Sequence, residues 1–578
     1  MRNKEGLQGL GVSKGIALGQ ALWLYVAPAQ TEGERRLSEE EVPVELEKFQ
    51  VALKVAAEQV RDLTETLEAK FPDEAAIFEA HALILEDEEL GHSVQGYLEN
   101  DRIPADQAVN LSIRHFKQIF LAMEDPYFQA RAADLEDIGQ RLILNLQGTP
   151  PVNLQSLPPG TILVADDLTP SQTAGLDPES VVGLITRQGG KTSHTAILAK
   201  TLGIPAVVGC PGLEQIKDGD SVILDGEKGD ITLRPTAVQW AEAERRREEY
   251  SLLKQSYMAQ VALPAVTLDG HLVTLGVNLA HPSAATEAVK AGAEEVGLFR
   301  TEFLYLGRQT APSEEEQFVA YRTLVEKMQG RPVIFRTLDV GGDKKVPYLG
   351  LAEEDNPFLG YRALRICLQE PELFSAQLRA LLRASAFGPS RIMFPMVATL
   401  EELREAKECV SRAQLELSQE GQAFDPNIEI GIMIEIPSAA IMAEEFAQEV
   451  DFFSIGTNDL VQYTLAADRL NPKLGRLYQN HNPAVLRLIA QVVKAAHHYG
   501  RRVGVCGEMA GQLSGALILL GLGVDELSMS VGSLPEIKSL IRETSSLEGR
   551  KLADSLLRMK TPTEVEAAVT GFLTARPI

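Results

Sequence analysis

The stretch IGIMIE at 430–435, then FFSIG at 452–456 running directly into Thr457-Asn458-Asp459, decides the fold. Both runs are short, apolar and flanked by helix-prone sequence, as strands buried on both faces are. Both also lead into acidic residues: Glu435 closes the first, and Asp459 follows the second. Working outward, six similar runs occur: VTLGVNL at 273–279, EVGLFR at 295–300, PVIFRTL at 332–338, IMFPM at 392–396, RVGVC at 502–506 and ELSMS at 526–530. Helical stretches separate them. Eight such units within 263–578 predict a (β/α)8 barrel, with a doubly wound open sheet as the alternative.

In such a barrel the C-terminal strand ends share one mouth. Arg300 ends the second run, and Arg336 lies near the end of the third with Asp339 behind it. Glu435 ends the fifth, Asn458 and Asp459 follow the sixth, and Cys506 ends the seventh. Two guanidinium groups offer planar, bidentate sites for carboxylate or phosphate. Two carboxylates suit Mg2+, which keeps its other positions for water and ligand oxygens. The set suits a small, multiply charged phosphorylated acid. Any one of these residues alone reads as a surface salt bridge; the joint placement points to a site. Cys506 has two readings, a small core thiol or a proton donor at the mouth.

Upstream, short Gly-punctuated strand patterns occupy 1–37 and return at 147–235, in GTILVADDL, SVVGLITRQGG and DSVILDGEKGDITL. Between them, Leu46, Phe49, Leu53, Ala56, Val60 and Leu63 recur at alternating spacings of three and four, one apolar stripe on a long helix. Residues 38–146 therefore read as an all-helical unit inserted into an α/β domain. It carries nine basic and 24 acidic residues. Solvated helix faces would explain that charge, and so would a docking surface for a basic partner. Residues 236–262 are charged and helix-prone, suiting a linker helix between domains.

Within the α/β segment stands Gly189-Gly190-Lys191-Thr192-Ser193-His194. The glycines let backbone N–H groups approach an anion, and Thr192 or Ser193 can cap a helix that starts here. His194 then lies at a helix N-terminus, where the dipole favours phosphate and an imidazole can carry a phosphoryl group. A plain capping turn is the bland alternative. A P-loop is rejected, because Ile185 stands where that motif needs glycine.

Composition narrows the function. The net charge of −26 over 578 residues argues against an extended nucleic-acid surface. Cys210, Cys367, Cys409 and Cys506 form no Cys-x-x-Cys pair, so neither a zinc knuckle nor a disulfide framework is indicated. The apolar stretch 16–29 is broken by Gly19, Gln20 and Pro28 and is too short to span a bilayer. The first residues lack the apolar core of a signal peptide, so a soluble cytoplasmic protein without nucleic-acid partners is expected.

Several of these stretches resemble one family. GGKTSHTAILAKTLGIPAVVG is similar to the phosphohistidine segment of PEP-utilising enzymes. GLFRTEFLY, RTLDVGGDK, NPFLGYRALR, GIMIEIPSAA, FFSIGTNDLVQYTLAADR and GVCGEMAG resemble the enzyme I family of the bacterial phosphoenolpyruvate:sugar phosphotransferase system. The resemblance runs nearly end to end. It implies a phosphohistidine α/β domain at 1–37 and 147–235, an HPr-binding helical subdomain at 38–146, a linker helix at 236–262 and a PEP-binding, dimer-forming TIM barrel at 263–578. It implies that His194 takes the phosphoryl group from phosphoenolpyruvate, releasing pyruvate, and passes it to a histidine of the carrier HPr. Arg300, Arg336, Arg362 and Arg469 would bind the substrate's phosphate and carboxylate, and Asn458 would contact it. Glu435 and Asp459 would hold Mg2+, Cys506 would protonate the enolate carbon, and the barrel would form a homodimer. A pyruvate,phosphate dikinase or PEP synthase needs an ATP-binding domain that 1–235 is too short to hold. A barrel lyase leaves GGKTSH unexplained, a non-catalytic scaffold leaves the intact residue set unexplained, and a nitrogen-regulatory paralogue is expected to carry a preceding sensory domain.

Overall fold

The computed structural model describes residues 6–24, 36–68, 78, 81–122, 126–148, 157–169, 172, 176–190, 193–306, 308–342, 344, 346–352, 354–469 and 471–575. They fall into two compact units, Met1–Leu253 and Lys254–Ile578.

The first unit is built on an eight-stranded mixed sheet in the order β1-β8-β7-β3-β4-β5-β6-β2. Its strands are β1 Gly6–Gln8, β2 Leu10–Ser13, β3 Ile16–Trp23, β4 Thr161–Ala165, β5 Val181–Thr186, β6 Ala206–Val208, β7 Ser221–Asp225 and β8 Asp230–Leu233. β3 to β6 run parallel at its centre. Their apolar residues bury both faces, so the period of two divides the core in two. Ile162 and Val164 pack with Ala17, Ala21 and Leu224. Leu163 and Ala165 pack on the other side with Ala196 and Ala199 of helix α5, His194–Leu202.

The helices between β3 and β4 in sequence include α1 Val42–Glu68, α2 Glu88–Gly96, α3 Ala105–Ala122 and α4 Pro126–Leu146, and residues 81–86 are helical as well. Phe49, Ala56 and Val60 of the α1 stripe meet Val94, Val109, Leu135, Ile138 and Leu142 in one core. A single π turn, Tyr97–Asp101, leads from α2 to Arg102, which has a left-handed backbone. Helix α6, Ala237–Ala259, buries only Ala243 among its described side chains, and Arg245 pairs along it with Glu242 and Glu249.

The second unit contains the predicted barrel. Eight parallel strands close in the order β9 to β16, and β16 pairs with β9, which removes the open-sheet alternative. They are β9 Thr274–Leu279, β10 Glu295–Arg300, β11 Val333–Arg336, β12 Ser390–Phe394, β13 Glu429–Ile434, β14 Phe452–Ile455, β15 Arg502–Val505 and β16 Glu526–Met529. Leu298, Ile334, Met393, Met433, Phe452 and Cys506 fill the interior. This packed layer forms a floor beneath the mouth. Among the described residues no helix is long and apolar enough to cross a membrane.

Candidate active site

Arg300 and Arg336 are register partners across β10 and β11, each the last residue of its strand. Glu435 and Cys506 each lie one residue beyond their strands. Asn458 and Asp459 lie in the first turn of the helix Thr457–Leu465, which follows β14. The barrel thus brings together the mouth residues expected from the strand pattern.

Arg336 and Arg362 are held in a buried charge network. Arg336 Nη2 donates to Glu302 Oε1 at 2.5 Å, and Nη1 lies 3.0 Å from Asp339 Oδ2. Lys344 Nζ reaches the same two carboxylates at 2.7 and 3.1 Å. Arg362, only 1% exposed, donates through Nη2 to Asp339 Oδ1 at 2.9 Å. Its Nη1 lies 3.7 Å from Asp459 Oδ1, and Arg469 Nη1 lies 3.8 Å from Asp459 Oδ2. Burial opposes ionisation of Asp339, but Arg336, Lys344 and Arg362 outweigh it and hold the carboxyl well below the usual range. Gly341, at φ +94°, lets this loop pass behind Arg362, because a Cβ there would sit 2.7 Å from Arg362 Cβ. Arg300 is half-buried and pairs with no carboxylate among the described residues.

Glu435 is the opposite case. Burial first, then the nearby Asp459 and Asp339 charges, push it up to about 8. Its Oε1 accepts the Met396 N–H at 2.6 Å, presented by a backbone held at φ 56°. Its Oε2 and Asp459 Oδ1 are buried without a hydrogen-bond partner. Two carboxyl groups whose charges repel each other, each with a buried oxygen that lacks a donor, fit a hard divalent cation, which would favour ionisation of both. No group of three or more His, Cys, Asp or Glu side chains set to hold a metal occurs among the described residues. Two protein carboxylates plus ligand oxygens is therefore the arrangement this mouth can offer.

Cys506 is buried, with its sulfur 3.8 Å from the Ile455 carbonyl, and burial pushes the thiol up to about 11. Asn458 Oδ1 accepts the Glu508 N–H at 3.2 Å, and its carbonyl accepts from Tyr478. That leaves the Asn458 amide NH2 as a donor. Sequence reading missed Glu302, Lys344, Phe358 and Tyr463. Glu302 and Lys344 lie inside quoted motifs, but only the folded loops bring Glu302 onto Arg336 and Lys344 onto Glu302 and Asp339.

In the first unit, Ser193 is the N-cap of α5, accepting the Ala196 N–H at 3.3 Å. Gly189 takes φ +108° in the turn before it. Thr195 donates to Asp167 Oδ1 at 3.1 Å. His194 therefore opens a helix, as expected. Its side chain, Lys191 and Thr192 lie outside the described residues.

Three models of PEP-utilising enzymes match this chain: the N-terminal domain over residues 8–131, the mobile domain over 157–229 and the PEP-binding domain over 254–546. Proteins named phosphoenolpyruvate-protein phosphotransferase are similar over nearly their whole length. The Bacillus subtilis protein is 45% identical over 98% of this chain and 99% of its own. The Staphylococcus carnosus protein is 44% identical over 97% of each. The Haemophilus influenzae protein is 43% identical over 98% of this chain and 99% of its own. With matching models across both units and relatives at this identity from end to end, the chain belongs to the PEP-utilising enzyme family.

Proposed function

We propose that the chain is a phosphoenolpyruvate-protein phosphotransferase, which moves the phosphoryl group of phosphoenolpyruvate to His194 and then to a histidine of the carrier HPr, the first step of sugar uptake by the phosphotransferase system. The observation that carries this is the barrel mouth, where arginines surround two buried carboxylates with orphaned oxygens. Phosphoryl transfer asks for charge neutralisation and positioning more than covalent chemistry.

In this reading Arg300, Arg336, Arg362 and Arg469 neutralise the phosphate and carboxylate, and Asn458 orients the substrate. Glu435 and Asp459 hold Mg2+, which supplies Lewis-acid polarisation of the oxygens it binds. An imidazole nitrogen of His194 attacks phosphorus. The bond from phosphorus to the enolate oxygen breaks, and the electron pair stays with the enolate. Cys506 gives its thiol proton to the methylene carbon, yielding pyruvate, and regains one from solvent. His194 and the mouth belong to separate compact units, so the His-bearing unit must engage the barrel in one half-reaction and the carrier in the other. The acidic helical unit docks HPr, the barrel forms the homodimer, and the enzyme works in the cytoplasm.

Labelling with phosphoenolpyruvate carrying a tagged phosphate, with Mg2+ and without ATP, tests this. An acid-labile, base-stable label on His194, absent from His194→Ala, is expected. Bound phosphoenolpyruvate without any label would instead indicate a lyase or a regulator.

A further inference from the structure

Arg362 and Arg469 share a feature that the charge network does not explain. The Phe358 ring centroid lies 5.9 Å from the Arg362 guanidinium carbon and 6.0 Å from that of Arg469, both within cation–π reach. Phe358 sits in a short 3-10 turn, Pro357–Leu359, in which Pro357 and Leu359 are exposed and Phe358 is half-buried. Arg365 ties the end of that turn, donating to the Leu359 and Gly360 carbonyls at 3.3 and 2.8 Å. The tie to the substrate-facing helix is different. Tyr463, on the helix Thr457–Leu465 that also carries Asp459, accepts from Arg362 Nη1 at 3.2 Å and donates to the Phe358 carbonyl.

The direction of both bonds follows from chemistry. Guanidinium has no acceptor, so the phenol must accept from it. A carbonyl has no proton, so the phenol must donate to it. One hydroxyl therefore fixes the Arg362 fork and the turn bearing the ring. Burial pushes this phenol up to about 12, which keeps its proton in place at neutral pH.

We infer that Tyr463 is a positioning residue, which presets Arg362 and Arg469 for a substrate bearing both phosphate and carboxylate by holding Arg362 directly and the Phe358 ring through its carbonyl. This rests on the proposed reading of the mouth as the phosphoenolpyruvate site. Fixing two long side chains in advance lowers the ordering cost of binding. A hydrogen bond to a charged group is worth enough that its loss is read as about a tenfold change in affinity.

The test is steady-state pyruvate release by the full chain with the carrier HPr in excess, which takes the phosphoryl group from His194 and lets the enzyme turn over. Tyr463→Phe keeps the ring and removes only the hydroxyl. Its KM for phosphoenolpyruvate should rise about tenfold, with a smaller fall in kcat. Phe358→Leu keeps the carbonyl but loses the ring and should raise KM less, and Phe358→Trp should restore it. A merely structural role would lower the melting temperature and leave KM per folded molecule unchanged. An unchanged KM in Tyr463→Phe, in a preparation whose parent turns over phosphoenolpyruvate, overturns the inference alone. A parent that neither binds nor turns over phosphoenolpyruvate overturns the reading beneath it.

Discussion

Cys506 shows how one side chain's environment selects between two chemistries. Its sulfur is packed with Leu298, Ile334, Met393, Met433 and Phe452, and burial holds its pKa near 11. A thiol that keeps its proton at neutral pH is a poor nucleophile and still carries the proton that a general acid must give. In the proposed reaction it protonates the enolate, and general acid catalysis is worth roughly a hundredfold or more. Cys506→Ala should therefore slow pyruvate release by about that factor, with KM for phosphoenolpyruvate changed less than about threefold. Steady-state kinetics with the carrier in excess decides it: a KM rise matching the loss in rate would make the thiol a binding group. The position of this cysteine was legible, because it ends an apolar run. Its state was not, because protonation follows from neighbours on other strands. The same holds for Glu435, whose raised pKa needs Asp459 and Asp339 beside it.

Helices α1 to α4 lie in the most acidic stretch read from the sequence, 24 acidic against nine basic residues over 38–146. Their apolar core includes Phe49, Val60, Val94 and Leu142, while Asp134 and Asp137 are buried beside His81, at 3.5 and 3.9 Å. Arg61 pairs with Glu86 and Lys117 with Glu136, yet with acidic residues in that excess the region stays net negative. A basic carrier would be steered to such a surface, and screening shortens that reach to about 10 Å at 0.1 M salt. Transfer from the labelled enzyme to the carrier should slow as salt rises, while labelling by phosphoenolpyruvate slows less. Stopped reactions at several ionic strengths measure both, and equal salt dependence would return the charge to solvation alone. The helical character of this region was legible from the α1 stripe. The π turn at Tyr97–Asp101 was not, because no residue type there requires it.

Across the whole barrel, closure creates contacts that no local pattern announces. Glu295 opens β10 and Glu526 opens β16, and both strands flank β9. Each lies in an apolar run that predicted its strand, but only the closed sheet sets the two carboxyls against each other at the end opposite the mouth. Gly276, Gly297 and Gly504 leave room for Glu526, since a Cβ at each would lie 3.1, 2.1 and 2.7 Å from its carboxyl oxygens. Arg502 turns mainly to Glu295, at 2.7 Å, and stands 3.8 Å from Glu526; Arg391 bonds Glu429 through Nε and reaches Glu295 at 3.2 Å. Burial first, then the Glu295 charge, raise Glu526 well above the ordinary carboxylate range. The folded barrel then holds a proton there that the unfolded chain loses near pH 4.3, taking about 4.3 as the unfolded value. Stability from this group is complete below that pH and declines as pH rises toward the folded pKa, by about 1.4 kcal/mol per pH unit. Glu526→Gln imitates the protonated acid and has no such decline. The variant and the parent should therefore melt alike near pH 4, and the variant should gain an increasing advantage as pH rises toward neutrality. Calorimetric melting of the barrel transition across that range reads the difference directly. Parallel curves would mean that Glu526 is ionised in the folded barrel and balanced by Arg502.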